Sequence, residues 1–157
     1  MSIDTAATPR PPLELITFAI GAQDFCMDIM LVREIRGWVE VTPLPHAPVD
    51  VLGVMNLRGA VVPIVDLSRR LSLGPCAPHA RNVVIIATIG AQVVGLLVTA
   101  VSDILAVAPD EMRPIPAAGG AEAARFVSGI VSSRERTLRV LNVDALAATM
   151  TAMHEIA

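Results

Sequence analysis

The sequence contains no lysine and no tyrosine, only one tryptophan and three phenylalanines, and just two cysteines. Each shortage removes a class of function. Without lysine, and with a formal net charge of −3, the chain lacks the clustered cations that neutralise nucleic-acid phosphates. With aromatics at 3%, unpaired bases would find little to stack on, so nucleic acid is not an expected partner. Cys26 and Cys76 stand far apart, with no Cys-x-x-Cys and no histidine-rich neighbourhood. Neither a disulfide framework nor a zinc site is expected, and both are read as reduced thiols of a cytosolic protein. His46, His79 and His154 fall in a proline-flanked loop, a linker and the terminal segment, with no context suggesting a nucleophile or a metal cluster. There is no P-loop and no G-x-G-x-x-G. Asp28, Asp50, Asp66, Asp103 and Asp144 are spread singly at turns and element ends, where carboxylates usually cap or are solvated. No catalytic residue, metal or cofactor is expected, and the chain is not read as an enzyme.

What is present is aliphatic. Hydrophobic residues make up 54% and charged residues 17%, a globular composition whose burial must come from Val, Ile, Leu and Ala. The length suits one domain, or two small subdomains sharing a core. Residues 1–12, with Asp4 and early prolines, read as a disordered tail and not as a signal peptide. Val83 to Val101 runs for 19 residues without a charge, close to the roughly 20 of a membrane-spanning helix. Gly90-Ala91-Gln92 in its middle reads as a hairpin turn between β-branched flanks, so insertion into a membrane is not expected.

Taken in order, Glu14 to Ile20 alternates, with Ile16, Phe18 and Ile20 on one face, and turns at Gly21 into Phe25 to Ile29, a β-hairpin. Asp28 is placed to cap a short helical turn running through Ile29 to Glu34, which Gly37 ends. Val39 to Leu44 alternates again, then prolines interrupt it before a brief turn over Val49 to Leu52. Gly53 to Leu67 reads as two strands folded about Leu57-Arg58-Gly59, with Gly59 free to take the positive φ of a tight turn. Pro63 lacks a ladder donor, which points to an edge or bulged strand. Ser68 to Leu73 is a short basic turn stopped by Gly74-Pro75. The end of the chain, 143–157, carries Leu146, Met150 and Met153 at helical spacing and reads as a C-terminal helix.

The plan is repeated. Ile20-Gly21-Ala22-Gln23 recurs as Ile89-Gly90-Ala91-Gln92, and Val32, Glu34 and Ile35 recur at the same offset as Val101, Asp103 and Ile104. Gly129-Ile130 to Arg134 looks like a weaker second copy of Gly53-Val54 to Arg58. The expected fold is mainly β: two small β units, the first about 13–73 and the second about 82–142, within one domain covering 13–149.

The run Gly53-Val54-Met55-Asn56-Leu57-Arg58-Gly59 followed by Val61-Val62-Pro63-Ile64-Val65-Asp66-Leu67 closely resembles the signature of the CheW family, adaptors that join bacterial chemoreceptors to the histidine kinase CheA. Val32 to Gly37, Asn82 to Ile89, Val94-Gly95 and Val101 to Ile104 agree with it in order, and the resemblance covers roughly Glu14 to Leu146. It implies two SH3-like β-barrels packed over a common apolar core, with strands able to cross between the halves. It also implies a non-enzymatic adaptor in the cytoplasm, recruited to membrane-associated receptor arrays. The alternative is a related coupling domain in a different chemosensory array, controlling motility or development.

Residue by residue, the resemblance implies a receptor-facing groove lined by Val32, Gly53, Val83, Val84, Gly95, Val101 and Ile104, fitted to the coiled-coil tip of a receptor hairpin. There Gly53 and Gly95 are expected to admit another backbone closely, so that Gly53→Asp weakens receptor binding and leaves the fold intact. It implies a kinase-facing surface of Glu34, Ile35, Val41, Leu44 and Arg58, with Glu34 and Arg58 paired. Trp38 is the candidate anchor there, or alternatively a plug for the barrel end. Where relatives often carry a bulky apolar residue for a second, ring-closing kinase contact, this chain has Ala117, Ala118, Gly119 and Gly120.

Overall fold

Alternating aliphatic residues broken by Gly, Pro and Asn leave the backbone little choice but short strands and tight turns. The computed structural model describes residues 11–38, 40–74, 81–115 and 125–149. Its strands are β1 (Leu13–Ile20), β2 (Gln23–Asp28), β3 (Val32–Gly37), β4 (Val51–Leu57), β5 (Ala60–Asp66), β6 (Val83–Ile89), β7 (Gln92–Val98), β8 (Ala100–Val107), β9 (Val127–Ser133) and β10 (Arg136–Leu141). Two short helices, α1 (Leu67–Arg70) and α2 (Val143–Thr149), follow β5 and β10. The uncharged run from Val83 is the β6–β7 hairpin, and no described helix is long and apolar enough to cross a membrane.

The strands form two five-stranded sheets, in the orders β8-β1-β2-β10-β9 and β3-β6-β7-β5-β4. Replacing each strand of the first half by its counterpart in the second, and the reverse, turns one order into the other. The repeat is therefore a structural one. However, the sheets do not follow the sequence units 13–73 and 82–142: each takes a hairpin from one repeat and three strands from the other. The joining contacts are the parallel pairs β2·β10 and β5·β7 and the antiparallel pairs β1·β8 and β3·β6. We call the barrel-like unit containing β1 the first barrel and the one containing β3 the second.

Three apolar clusters account for the layering. One fills the first barrel, around Leu15, Cys26, Val131 and Leu138, and one fills the second, around Met55, Ile64, Val84 and Ile86. The largest lies between them and includes Ile16, Phe18, Phe25, Ile85, Leu96 and Leu146. β1 and β6 are buried on both faces, one toward their own barrel and one toward the shared core. Phe18 and Phe25 stack there with ring centroids 5.9 Å apart. Cys26 is buried in the first barrel, and loss of solvation pushes its thiol up to about 12.

Several expectations are corrected. Asp28 does cap, accepting from the Met30 N–H at 2.9 Å, but the helical turn stops at Leu31 and Val32–Gly37 is a strand. Pairing with β6 outweighs local helical spacing, and β-branched Val32 and Ile35 suit the strand. β5 is not an edge, since it lies between β7 and β4. Pro63 is tolerated because Val54 opposite it turns its N–H and C=O outward to Thr42, both at 2.9 Å, and the ladder to β7 begins only at Ile64. That isolated Thr42 bridge is the pairing found among the described residues of the stretch expected to alternate, and Val51 already belongs to β4. The helix at the chain's end is α2 as far as Thr149; Met150 and Met153 lie outside the described residues.

Repeat symmetry extends to details. Gly53 and Gly129 occupy matching places, and a Cβ on either would strike a crossing segment: 2.3 Å from the Thr42 O in one, 3.0 Å from the Arg113 O in the other. Asp66 and Asn142 cap α1 and α2, accepting from the Arg69 and Ala145 N–H groups. Gly53 also holds φ at +151°, a region L side chains rarely adopt. We predict that Gly53→Ala costs roughly 2–4 kcal/mol in chemical denaturation, combining strain and overpacking. Gly21→Ala, where φ is +58° but space is open, is expected to cost only about 1 kcal/mol.

Candidate functional site

The β4–β5 hairpin closes through a two-residue turn in which Arg58 (φ +51°) and Gly59 (φ +90°) both take left-handed conformations. Asn56 holds the turn by accepting the Gly59 N–H at 2.9 Å. Arg58 thereby projects toward β3, where Glu34 follows an irregularity in the pairing with β6. The two meet as a forked pair: Arg58 Nη1 donates to Glu34 Oε1 at 2.7 Å and Nη2 to Oε2 at 3.3 Å. Arg36 adds a second cation 3.6 Å from the same carboxylate. The Arg58 hydrogen bonds, reinforced by the charges of Arg58 and Arg36, hold the Glu34 carboxyl below its ordinary range, and Arg58 is raised in turn.

Beside this pair opens a cleft of about 640 Å³ at the mouth of the second barrel. Glu34, Leu44 and Arg58 line one part of it, and Val61, Gln92 and Val93 line another. Val61 is 67% exposed, a large apolar side chain presented to solvent at the rim. Sequence reasoning missed it, although it stands three positions after Arg58 on the outward face of an alternating strand. Of the other kinase-facing candidates, Ile35 is exposed on edge strand β3. Trp38 and Val41 are half-buried and pack against the second barrel's interior.

Three of the seven residues expected in the receptor-facing groove lie beneath the surface. Val84 and Gly95 are buried inside the second barrel, and a Cβ on Gly95 would lie 2.5 Å from Ile64 Cδ1 and 2.9 Å from Val84 Cγ1. Gly53 is buried beneath Thr42 and Pro43 of its own chain. These glycines admit the protein's own atoms and not a partner's backbone, so the expectation that Gly53→Asp spares the fold is overturned. Val32, Val83 and Val101 are half-buried against the shared core, and only Ile104, on edge strand β8, is well exposed. Residues 117–120 lie outside the described residues. No group of three or more metal-ligating side chains occurs among the described residues.

This arrangement can be set beside known proteins. The profile of the CheW-like domain matches residues 14–150. The chain belongs to the CheW family. A probable chemotaxis protein CheW of Rhizobium etli is 49% identical over 133 residues, covering 85% of this chain and 86% of the relative. The chemotaxis protein CheW of Rhizobium meliloti is 48% identical over the same length, with the same coverage. The crystal structure of scaffolding protein TtCheW from Thermoanaerobacter tengcongensis superposes with a TM-score of 0.76 at 27% identity, covering 83% of this chain and 88% of that one. The CheW family is one of chemotaxis scaffolds, and its two-barrel fold is the one found here.

The lowered Glu34 carboxyl fixes the pH behaviour of the pair. A depressed carboxylate contributes its share fully above its ordinary range and loses it as pH falls through the lowered value, so the fork is intact at neutral pH. Carboxyl-detected NMR should place the Glu34 midpoint below that of an unperturbed glutamate. In Arg58→Gln it should move back up; an unchanged midpoint would mean that Arg58 is not the cause.

Proposed function

We propose that this protein couples chemoreceptors to a CheA-type histidine kinase, acting as a non-enzymatic adaptor at membrane-associated receptor arrays. The observation that carries the reading is the apolar cleft of the second barrel with the forked Glu34–Arg58 pair on its rim. An apolar opening flanked by a fixed charge pair has the character of a protein-docking surface: the cleft takes a buried anchor and the charges set its orientation. Val61, Leu44 and Ile35 supply apolar contact, and membership of a family of chemotaxis scaffolds supports the identity of the partner.

For the receptor, the support lies in the exposed edges β3 and β8, one from each barrel, with Ile104 outward on β8. A helical hairpin tip would meet apolar side chains there. The adaptor's contribution is geometric: bound to both, it makes a change in receptor conformation bias the kinase.

A pull-down of purified protein with the kinase regulatory domain and a receptor cytoplasmic fragment tests this. Arg58→Glu should lose the kinase domain at least tenfold and keep the receptor fragment, while Ile104→Asp should do the reverse. Folded wild type that captures neither partner would refute the adaptor reading.

A further inference from the structure

Thr17 is fully buried on β1, beside Leu15 and opposite Cys26, among the aliphatic side chains that fill the first barrel. Its counterpart in the second barrel, by the offset that relates Gly21 to Gly90, is the apolar Ile86. A buried hydroxyl is costly unless it is hydrogen-bonded, and the bonds of this one go to Asp103 on edge strand β8. Thr17 Oγ1 donates to Asp103 Oδ1 at 2.5 Å and accepts from the Asp103 N–H at 3.1 Å, with the Asp103 carbonyl oxygen 3.2 Å away.

Asp103 lies where the β1–β8 ladder breaks. Ile16 pairs with Ile104 and Phe18 with Val101, so Thr17 alone faces both Ser102 and Asp103. This is a β-bulge, and its extra residue reverses the alternation of side chains beyond it. Val101 packs on the shared core while Leu105 and Val107 pack on the first barrel's interior, although all three would share a face in an unbroken strand. Ile104 thereby falls on the same face as Val101, opposite Ile16 of the shared core, and is 56% exposed there. β3 breaks its ladder in the same way between Val32 and Glu34, and Val32 and Ile35 both lie opposite shared-core residues, Ala87 and Ile85. The two bulges are held differently: Arg58 grips Glu34 from the solvent side, and Thr17 grips Asp103 from beneath.

We propose that Thr17 is a positioning residue for the receptor: its buried hydroxyl holds the β8 bulge, and the bulge turns Val101 and Ile104 to one face for a receptor hairpin to meet. This rests on reading the β8 edge as part of the receptor surface. A bulge leaves ladder bonds unmade, and a hydroxyl, both donor and acceptor, supplies replacements to the residue that lost them. Without the hydroxyl, the Asp103 N–H and carboxylate lose their partner, and an unbroken ladder satisfies the backbone better. Leu105 and Val107 stay seated in the first barrel, so Val101 is the side chain that turns away from the receptor face.

Thr17→Val keeps the side chain's shape and removes the hydroxyl, whereas Thr17→Ser keeps the hydroxyl; circular dichroism with thermal melting verifies the fold of both. Nuclear Overhauser contacts between the Phe18 ring and the Val101 methyls report the bulge. Calorimetry with a receptor cytoplasmic fragment and with the kinase regulatory domain reports its use. Thr17→Val should lose the Phe18–Val101 contact and bind the receptor fragment about tenfold more weakly, the effect of losing one apolar contact, with kinase-domain binding unchanged. Thr17→Ser should keep all three. A folded Thr17→Val that keeps the contact overturns the proposal, as does one that loses it and binds the receptor fragment like wild type. In the wild type, the Asp103 amide should exchange with solvent at least about tenfold more slowly than in an unstructured chain. Unprotected exchange there overturns the proposal even where Thr17→Val does not fold. A wild type that binds no receptor fragment would sink the receptor reading instead, and the Phe18–Val101 contact would still decide whether Thr17 holds the bulge.

Discussion

The rest of the structure depends on the exchange of hairpins between the two repeats. Neither repeat completes a sheet alone: β1 and β2 find their partners in β8 and β10, and β6 and β7 find theirs in β3 and β5. The exchange places β1 and β6 where both of their faces are covered, and it joins two small interiors through a third cluster larger than either. A unit of about sixty residues buries only about 60% of the surface its unfolded chain exposes and is marginal by itself. Sharing one core between two such units removes that weakness, and it makes the relative placement of the barrels part of the fold and not a matter of a linker.

That rigidity positions the candidate site. Glu34 sits on a strand held by the second repeat's β6, while Arg58 sits at the tip of the first repeat's own hairpin. The fork between them therefore reports whether the second barrel is correctly assembled. Its strength is not the point, because Arg58 is largely exposed and solvent screens the pair. Its geometry is: two hydrogen bonds fix the β4–β5 turn against β3 at the rim of the cleft.

Much of this was legible in the sequence. The hairpin at Gly21, its copy at Gly90, the turn at Arg58-Gly59 and the duplication carry local signals of turn chemistry and alternation, and each is in the structure. The Glu34–Arg58 pair came from the family signature, not from spacing. What failed had non-local causes. Ile29 to Glu34 carries a helical pattern, and only β6, some fifty residues away in sequence, makes the chain from Val32 a strand. Gly53 and Gly95 look like positions that admit a partner, but the atoms they admit belong to Thr42, Ile64 and Val84, a closeness no reading of neighbours along the chain reveals. Pro63 was read as marking an edge or a bulge; its place in a central strand depends on the outward turn of Val54 toward Thr42, twelve residues upstream.

The measurement that bears most directly on the central claim is the affinity for the kinase regulatory domain of the double charge reversal Glu34→Arg, Arg58→Glu, compared by calorimetry with each single reversal. If the pair acts as an oriented fork on the rim of the docking cleft, each single reversal sets two like charges against each other, and the double reversal recovers most of the lost binding. A double reversal that binds no better than the weaker single would contradict the account, because the two residues would then act separately and the cleft would owe nothing to their pairing.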